Sequence, residues 1–128
     1  MTDYLLDTNI LIMALRSRSS VLDFLDTVNR EKDRLFISVA TRTEILAGMR
    51  PHEEERTIEL LDSLESLPIN NAIADRAGRL IYQYARQGIQ LSFPDAQIAA
   101  TALEHDLTLA TTNAKHFPMP EIDVHPLE

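Results

Sequence analysis

Three carboxylates of this sequence each lie at a predicted strand end or near a predicted helix start. Asp7 follows the apolar run 4–6, and Glu44 lies early in the helix that comes after the β-favouring run 35–37. Asp95 lies in the first turn of a further helix. Converging carboxylates repel one another and are costly to remove from water unless a cation lies between them. All-oxygen ligation favours a hard ion, Mg²⁺ or Mn²⁺, which supports phosphodiester hydrolysis.

Each of these carboxylates also has an ordinary structural interpretation. Asp7 could cap the helix that begins near Ile10, because aspartate is preferred at that position. Glu44 could compensate the helix dipole, and Asp95 after Pro94 resembles ordinary N-terminal helix chemistry. The joint placement of all three, each beside a strand end or a helix start, favours a metal site over three separate structural roles.

Polar residues follow another predicted strand, at 107–111. Thr111 ends that run, and Thr112 and Asn113 come directly after it. In a parallel sheet with right-handed crossovers such positions lie along one edge, so these residues and the three carboxylates can converge there. Thr112 and Asn113 would also make an acceptable turn.

The elements that would position these residues alternate between short strands and helices. Strands are predicted at 4–6, 35–37, 67–69 and 107–111, with one more at 122–124 in the tail. Helices are predicted at 10–15, 21–28, from Ser38 or Thr41 to about 48, within 53–67, from Asn70 or Asn71 to about 88, and from 92 to 105. This alternation implies βαβ crossovers and a mostly parallel sheet covered on both faces. Ligands of such sheets bind beyond the carboxyl ends of the strands, where Asp7 lies.

The composition is that of an ordinary globular protein. The chain has 128 residues, of which 45% are hydrophobic and 25% charged, and we expect one domain over 1–128. It has no cysteine, which excludes disulfides and thiolate metal sites and is compatible with a reducing cytosol. Asp3 and Asp7 come too early for a signal peptide, and no apolar run approaches the roughly 18 residues of a membrane helix. We therefore expect a cytoplasmic protein without a membrane partner.

The net charge of −8 argues mildly against tight, non-specific binding of nucleic acid. Five arginines lie in or beside predicted helices and leave room for a local basic patch: Arg42, Arg50, Arg76, Arg79 and Arg86. A solvated helical face is the simpler interpretation of these arginines. A substrate such as RNA would still need a local basic rim to approach the carboxylates.

Four segments of the sequence resemble the signature segments of PIN-domain ribonucleases, especially the VapC-type toxins of toxin–antitoxin pairs. They are LLDTNIL, ISVATRTEILAG, FPDAQIAATAL and LATTNAKHF, and their order and spacing match along nearly the whole chain. The resemblance implies a PIN-like three-layer α/β/α sandwich around a mostly parallel sheet. It also implies Mg²⁺- or Mn²⁺-dependent cleavage of RNA.

The same resemblance assigns roles to particular residues and partners. Asp7, Glu44 and Asp95 match the family's acidic metal-binding positions. The family's supporting polar positions are matched by Asn9 and by either Thr112 or Asn113. The family typically forms homodimers, and a VapB-type antitoxin blocks the active site, often with an inserted arginine. The antitoxin supplies the DNA-binding domain, so DNA would be contacted only indirectly.

One position departs from the family pattern. The last segment usually has an aspartate just before the phenylalanine, whereas here His116 precedes Phe117. In the family that aspartate often completes the acidic cluster, so its replacement argues against a second metal site. His116 is either a nitrogen ligand in place of the usual carboxylate or a loop residue packed beside Phe117 and Pro118.

The interpretation that we adopt is an endoribonuclease toxin in which Asp7 and Asp95 hold the ion, while Glu44 orients the attacking water or shares ligation. A haloacid-dehalogenase-type phosphatase needs a second aspartate two residues after the first, but Asn9 occupies that position and cannot supply a proton. A catalytically degenerate PIN domain that binds RNA or a partner is the non-enzymatic alternative. His116 supports this alternative, and the three carboxylates oppose it.

Overall fold

A single parallel sheet of five strands forms the centre of the computed structural model, which describes residues 2–128. The strands are β1 (Asp3–Leu6), β2 (Arg34–Ser38), β3 (Glu65–Leu67), β4 (Thr108–Thr111) and β5 (Val124–Pro126), in the order β3-β2-β1-β4-β5. β1 is central, since Leu5 lies opposite Phe36 of β2 and opposite Leu109 of β4. All four pairings are parallel, so the carboxyl ends of the strands share one edge.

Within residues 2–128, six helices surround this sheet and connect its strands. They are α1 (Thr8–Leu15), α2 (Ser19–Arg30), α3 (Val39–Gly48), α4 (Glu54–Asp62), α5 (Asn71–Ala85) and α6 (Phe93–His105). Short 3₁₀ turns cover Pro51–Glu53 and Ala114–His116. Within residues 2–128, none of the helices is both long enough and apolar enough to cross a bilayer.

Alternate residues of the central strands point into two separate cores. Leu5 and Leu109 pack with buried residues of α5 and α6, while their neighbours Leu6 and Ala110 pack with residues of α1, α2, α3 and α4. This division follows from the two-residue period of a strand, which sends successive side chains to opposite faces. The two cores separated by one sheet confirm the predicted three-layer α/β/α class.

Polar caps fix where the helices begin. Ser38 caps α3, because its hydroxyl accepts a hydrogen bond from the Ala40 N–H at 3.1 Å, which selects Ser38 over Thr41. Asn70 caps α5 in the same way, through the N–H of Ile73. Such caps satisfy backbone donors that have no partner within the helix. Helix α1 begins at Thr8, two residues earlier than predicted, because Asp7 is its cap.

Two strand positions differ from the sequence-based expectation. The helix expected within 53–67 ends at Asp62, and β3 covers Glu65–Leu67 instead of 67–69. Pro68 lacks the N–H that a longer strand would need. The last strand is Val124–Pro126 instead of 122–124, because the Ile122 N–H bonds to the Met119 carbonyl in a turn.

Candidate active site

Asp7 lies between the last residue of β1 and the first residue of α1. Its side chain is buried, at 4% exposure, and both of its oxygens accept hydrogen bonds. Oδ1 accepts from the Thr8 N–H at 2.8 Å, and Oδ2 accepts from the Thr111 hydroxyl at 2.7 Å. The capping role and the site role of Asp7 are therefore compatible, because they use the same carboxylate at the carboxyl end of the central strand.

The environment of Asp7 disfavours its charged form. The pKa of the Asp7 carboxyl is raised above its ordinary value: burial is the largest single cause, and the hydrogen bonds from Thr111 and Thr8 act in the opposite direction. The negative charges of Asp95 and Glu44 raise the pKa of Asp7 further. A cation among these carboxylates would reverse that balance and favour the ionised form.

Glu44 is oriented by two buried threonines that join α1 to α3. The Thr8 hydroxyl donates to Glu44 Oε1 at 2.7 Å and lies 3.1 Å from the Thr41 hydroxyl oxygen. Because Thr8 has one hydroxyl proton and gives it to Glu44, Thr41 is the donor in the contact between the threonines. The side chain of Glu44 is thus held toward α1 and the end of β1.

Asp95 is placed by the start of α6. The Asp95 N–H donates to the hydroxyl of the capping residue Ser92 at 3.1 Å, with Pro94 in the first turn of the helix. Asp95 Oδ2 lies 3.5 Å from Nδ1 of His116, whose side chain is 50% exposed. His116 belongs to the short turn after β4. The contact between His116 and Asp95 therefore joins this turn to the start of α6.

These side chains line one open pocket of about 300 Å³, which we call the acid pocket. Its lining residues are Asp7, Thr8, Asn9, Ile12, Glu44, Asp95 and His116. Within residues 2–128, no group of three or more histidine, aspartate or glutamate side chains is already close enough to hold a metal ion. The all-oxygen donor set and the disfavoured charge of Asp7 nevertheless fit a hard cation that keeps several waters, because such an ion needs few direct protein ligands.

The polar residues around Asp7 differ in detail from those suggested by the resemblance. Asn9 lines the acid pocket, but neither Thr112 nor Asn113 is among its lining residues in the described chain. Thr111 contacts Asp7, and Asn113 supports Thr111 by donating its backbone N–H to the Thr111 hydroxyl at 2.9 Å. Strand register explains why, since Leu6 lies opposite Ala110 and the residues that follow are therefore neighbours.

Comparison with known proteins gives the same family by sequence and by structure. The PIN domain pattern matches residues 4–120. The chain is 41% identical over 116 residues to Ribonuclease VapC10 of Mycobacterium tuberculosis, which covers 90% of this chain and 86% of that relative. This sequence similarity confirms the resemblance to VapC-type PIN domains.

Solved structures extend the comparison to the fold. A chain of a toxin–antitoxin complex from Klebsiella pneumoniae is 34% identical, with a TM-score of 0.79 and coverage of 94% of this chain and 95% of that one. A chain of VapBC2 from Rickettsia felis, bound to a DNA fragment from their promoter, has a TM-score of 0.87 over 99% of this chain and all of that one. At 22% identity the second likeness shows the fold alone. The chain therefore belongs to the PIN domain family and, within it, to the VapC type.

Proposed function

We propose that this protein is an endoribonuclease toxin that depends on a divalent metal ion, Mg²⁺ or Mn²⁺, to hydrolyse RNA phosphodiesters. The observation that carries this proposal is that Asp7, Glu44 and Asp95 line one open pocket at the carboxyl edge of the sheet of a PIN domain. The name of its relative VapC10, a ribonuclease, supports the reaction class. RNA substrates lie in the cytoplasm, where we propose that the protein acts.

The three carboxylates would have different roles around the ion. Asp7 and Asp95 would hold it, and Glu44 would orient the attacking water or share ligation. When bound, such an ion lowers the pKa of a coordinated water and offsets charge on the phosphate oxygens. The Thr8–Thr41 pair keeps Glu44 in one orientation before the substrate binds, which limits the reorganisation that the reaction requires.

His116 has a supporting role in this proposal. Its imidazole lies 3.5 Å from Asp95 Oδ2, a distance at which it can help to orient that carboxylate. Three carboxylates already suffice for one hydrated ion, so the reaction does not require a nitrogen ligand. The alternative of a degenerate, RNA-binding domain is opposed by the presence of Asp7, Glu44 and Asp95 in one pocket.

Cleavage of RNA by the purified protein tests this function. Total RNA incubated with the protein should be cut at discrete positions when Mg²⁺ or Mn²⁺ is present and should stay intact when a chelator removes both. Discrete cleavage that persists in chelator would contradict the metal dependence. Intact RNA in both metals would favour the degenerate domain, provided that the antitoxin has been removed completely.

We include a VapB-type antitoxin and a homodimer in the same proposal. A toxin–antitoxin complex from Klebsiella pneumoniae is among the solved structures that this chain resembles. An acid pocket in a chain of net charge −8 attracts an arginine as readily as it attracts a metal ion. An antitoxin arginine would therefore block the site directly, and DNA would be contacted only through the antitoxin.

A peptide from the antitoxin encoded beside this protein should compete with RNA for the acid pocket. Because the attraction is between an arginine and carboxylates that are partly open to solvent, the affinity of the peptide should fall as ionic strength rises. Fluorescence anisotropy of the labelled peptide at low and high salt measures this. The peptide with its arginine replaced by glutamine is the matched control, and binding that maps to a surface remote from the acid pocket would refute direct blockade.

A further inference from the structure

A second pocket of about 260 Å³ adjoins the acid pocket and shares Asp95 and His116 with it. Its other lining residues come from the loop before α6 and from the turn after β4: Ile89, Gln90, Leu91, Ser92, Lys115 and Pro118. We call it the flanking pocket. A strand of RNA whose scissile phosphate lies in the acid pocket would continue across the flanking pocket.

The charge of the flanking pocket differs from that of the acid pocket. In the part of the chain that the structure describes, Lys115 is the only lysine or arginine that lines either pocket. Its side chain is exposed, and it forms no ion pair with a described residue. Besides the proposed metal ion, an RNA strand that approaches a chain of net charge −8 is favoured by a positively charged side chain near the carboxylates, and Lys115 is placed to supply it.

The remaining lining suits an unpaired nucleotide. Ile89 is exposed and lines the pocket together with the buried Leu91, so the Ile89 side chain offers apolar surface to the face of a base. The Gln90 amide carries donors and an acceptor that can bond to a base edge. The volume lies just below the range of about 300–1,000 Å³ that is typical of small-molecule sites, which suits a single nucleotide.

We infer that the flanking pocket binds the nucleotide next to the scissile phosphate of a single-stranded substrate, and that Lys115 binds the phosphate of that nucleotide. This inference rests on the proposed function, since it names a subsite of the same reaction. Lys115 is a binding residue in this arrangement. It lies outside the set of carboxylates that would hold the metal.

Charge reversal at Lys115 tests the phosphate contact. The sequence contains one other lysine, Lys32, which is also exposed and lies just before β2, at the opposite edge of the sheet. Lys115→Glu and Lys32→Glu therefore change the net charge equally at two distant places. With a random-sequence, single-stranded oligoribonucleotide and Mg²⁺, Lys115→Glu should raise KM about tenfold or more with little change in kcat. Lys32→Glu should stay close to the wild type, and Lys115→Arg, which keeps the positive charge, should show a much smaller rise in KM than Lys115→Glu.

Binding without cleavage separates this inference from the proposed function. In the Asp7→Asn background, anisotropy of the same oligonucleotide should show the slope of log Kd against log salt reduced by about 0.7 for Lys115→Glu and unchanged for Lys32→Glu. Equal effects of the two substitutions would overturn the inference and leave the proposed function standing. A failure of every protein to cut RNA would overturn the proposed function, while this measurement would still decide whether Lys115 binds RNA.

The nucleotide subsite has its own readout in the sequence of the cleavage sites. Gln90→Ala should change the base preference at one position beside the cut in the random-sequence substrate. Gln87→Ala is the matched control, because Gln87 is exposed in the turn directly after α5 and is not among the lining residues of the flanking pocket. An identical preference in Gln90→Ala and wild type would contradict the assignment of a base to this pocket.

Discussion

The substitution Asp7→Asn is expected to abolish RNA cleavage. The loss of rate should be about a thousandfold or more, since removing even one neutral hydrogen-bond donor that stabilises a transition state costs about a hundredfold to a thousandfold. The change removes one negative charge from the acid pocket and one oxygen donor that would hold the ion. Asparagine has nearly the same shape, and its Oδ1 can still accept the hydrogen bond from the Thr8 N–H that begins α1. Steady-state cleavage of an RNA that the wild-type protein cuts measures the loss of activity. A circular dichroism spectrum of the variant checks that its fold is retained.

The stability of Asp7→Asn should show that the loss is not caused by unfolding. The folded-state pKa of Asp7 is raised, so its ionised form destabilises the native state at pH values above that pKa. The neutral side chain removes this destabilisation, against a loss of about 1 kcal/mol for the hydrogen bond from Thr111. The variant should therefore melt at or above the wild-type temperature at neutral pH. The advantage should shrink as the pH falls and Asp7 becomes protonated.

Two further variants make the result specific to the acid pocket. Asp23→Asn makes the same chemical change at an exposed position of α2 and should leave cleavage unchanged. His116→Ala should lose far less activity than Asp7→Asn, because all three carboxylates remain. Normal cleavage by Asp7→Asn would contradict the proposal that Asp7 is a metal ligand. A His116→Ala protein as inactive as Asp7→Asn would instead put the imidazole in the chemistry.

The order of elements could be predicted from the sequence because local signals fix it. Short, largely apolar runs identify β1, β2 and β4, as expected for strands of a parallel sheet that is buried on both faces. The capping residues Ser38, Asn70 and Ser92 mark helix starts. The boundary between α4 and β3 was less predictable, because the apolar residues from 58 to 67 fit one face of a continuous helix. In the structure Leu67 instead pairs with Ser38 of β2. That pairing depends on a tertiary contact that no local pattern encodes.

The candidate site could also be predicted only in part. The proximity of Asp7, Glu44 and Asp95 could be predicted from the sequence, because each lies beside a strand end or helix start at one edge of a parallel sheet. The Thr8–Thr41 contact could not be predicted, since it joins positions 33 residues apart and depends on how α1 packs against α3. The flanking pocket likewise depends on two loops, and the sequence gives no sign that Lys115 lies near Gln90.

Metal binding should stabilise the fold, and this effect should depend on Asp95. An ion that binds the native state and not the unfolded chain adds RT ln(1 + [L]/Kd), which is about 2.7 kcal/mol at a concentration of 100 times Kd. For a chain of this length that corresponds to a rise in Tm on the order of 10 °C. Thermal unfolding of the wild type with and without Mn²⁺ measures the rise directly.

The variant Asp95→Asn should show a much smaller rise with Mn²⁺, because it leaves one fewer charge around the ion. Each protein must be compared with its own metal-free Tm, since the loss of the Asp95 charge also relieves its repulsion of Asp7 and changes the starting stability. Asp23→Asn serves again as the control and should keep the full rise. Equal rises in the wild type and Asp95→Asn would place the ion outside the acid pocket. If His116 were a ligand in place of the usual carboxylate, Mn²⁺ would stabilise the wild type more than Mg²⁺ does, and His116→Ala would remove that difference.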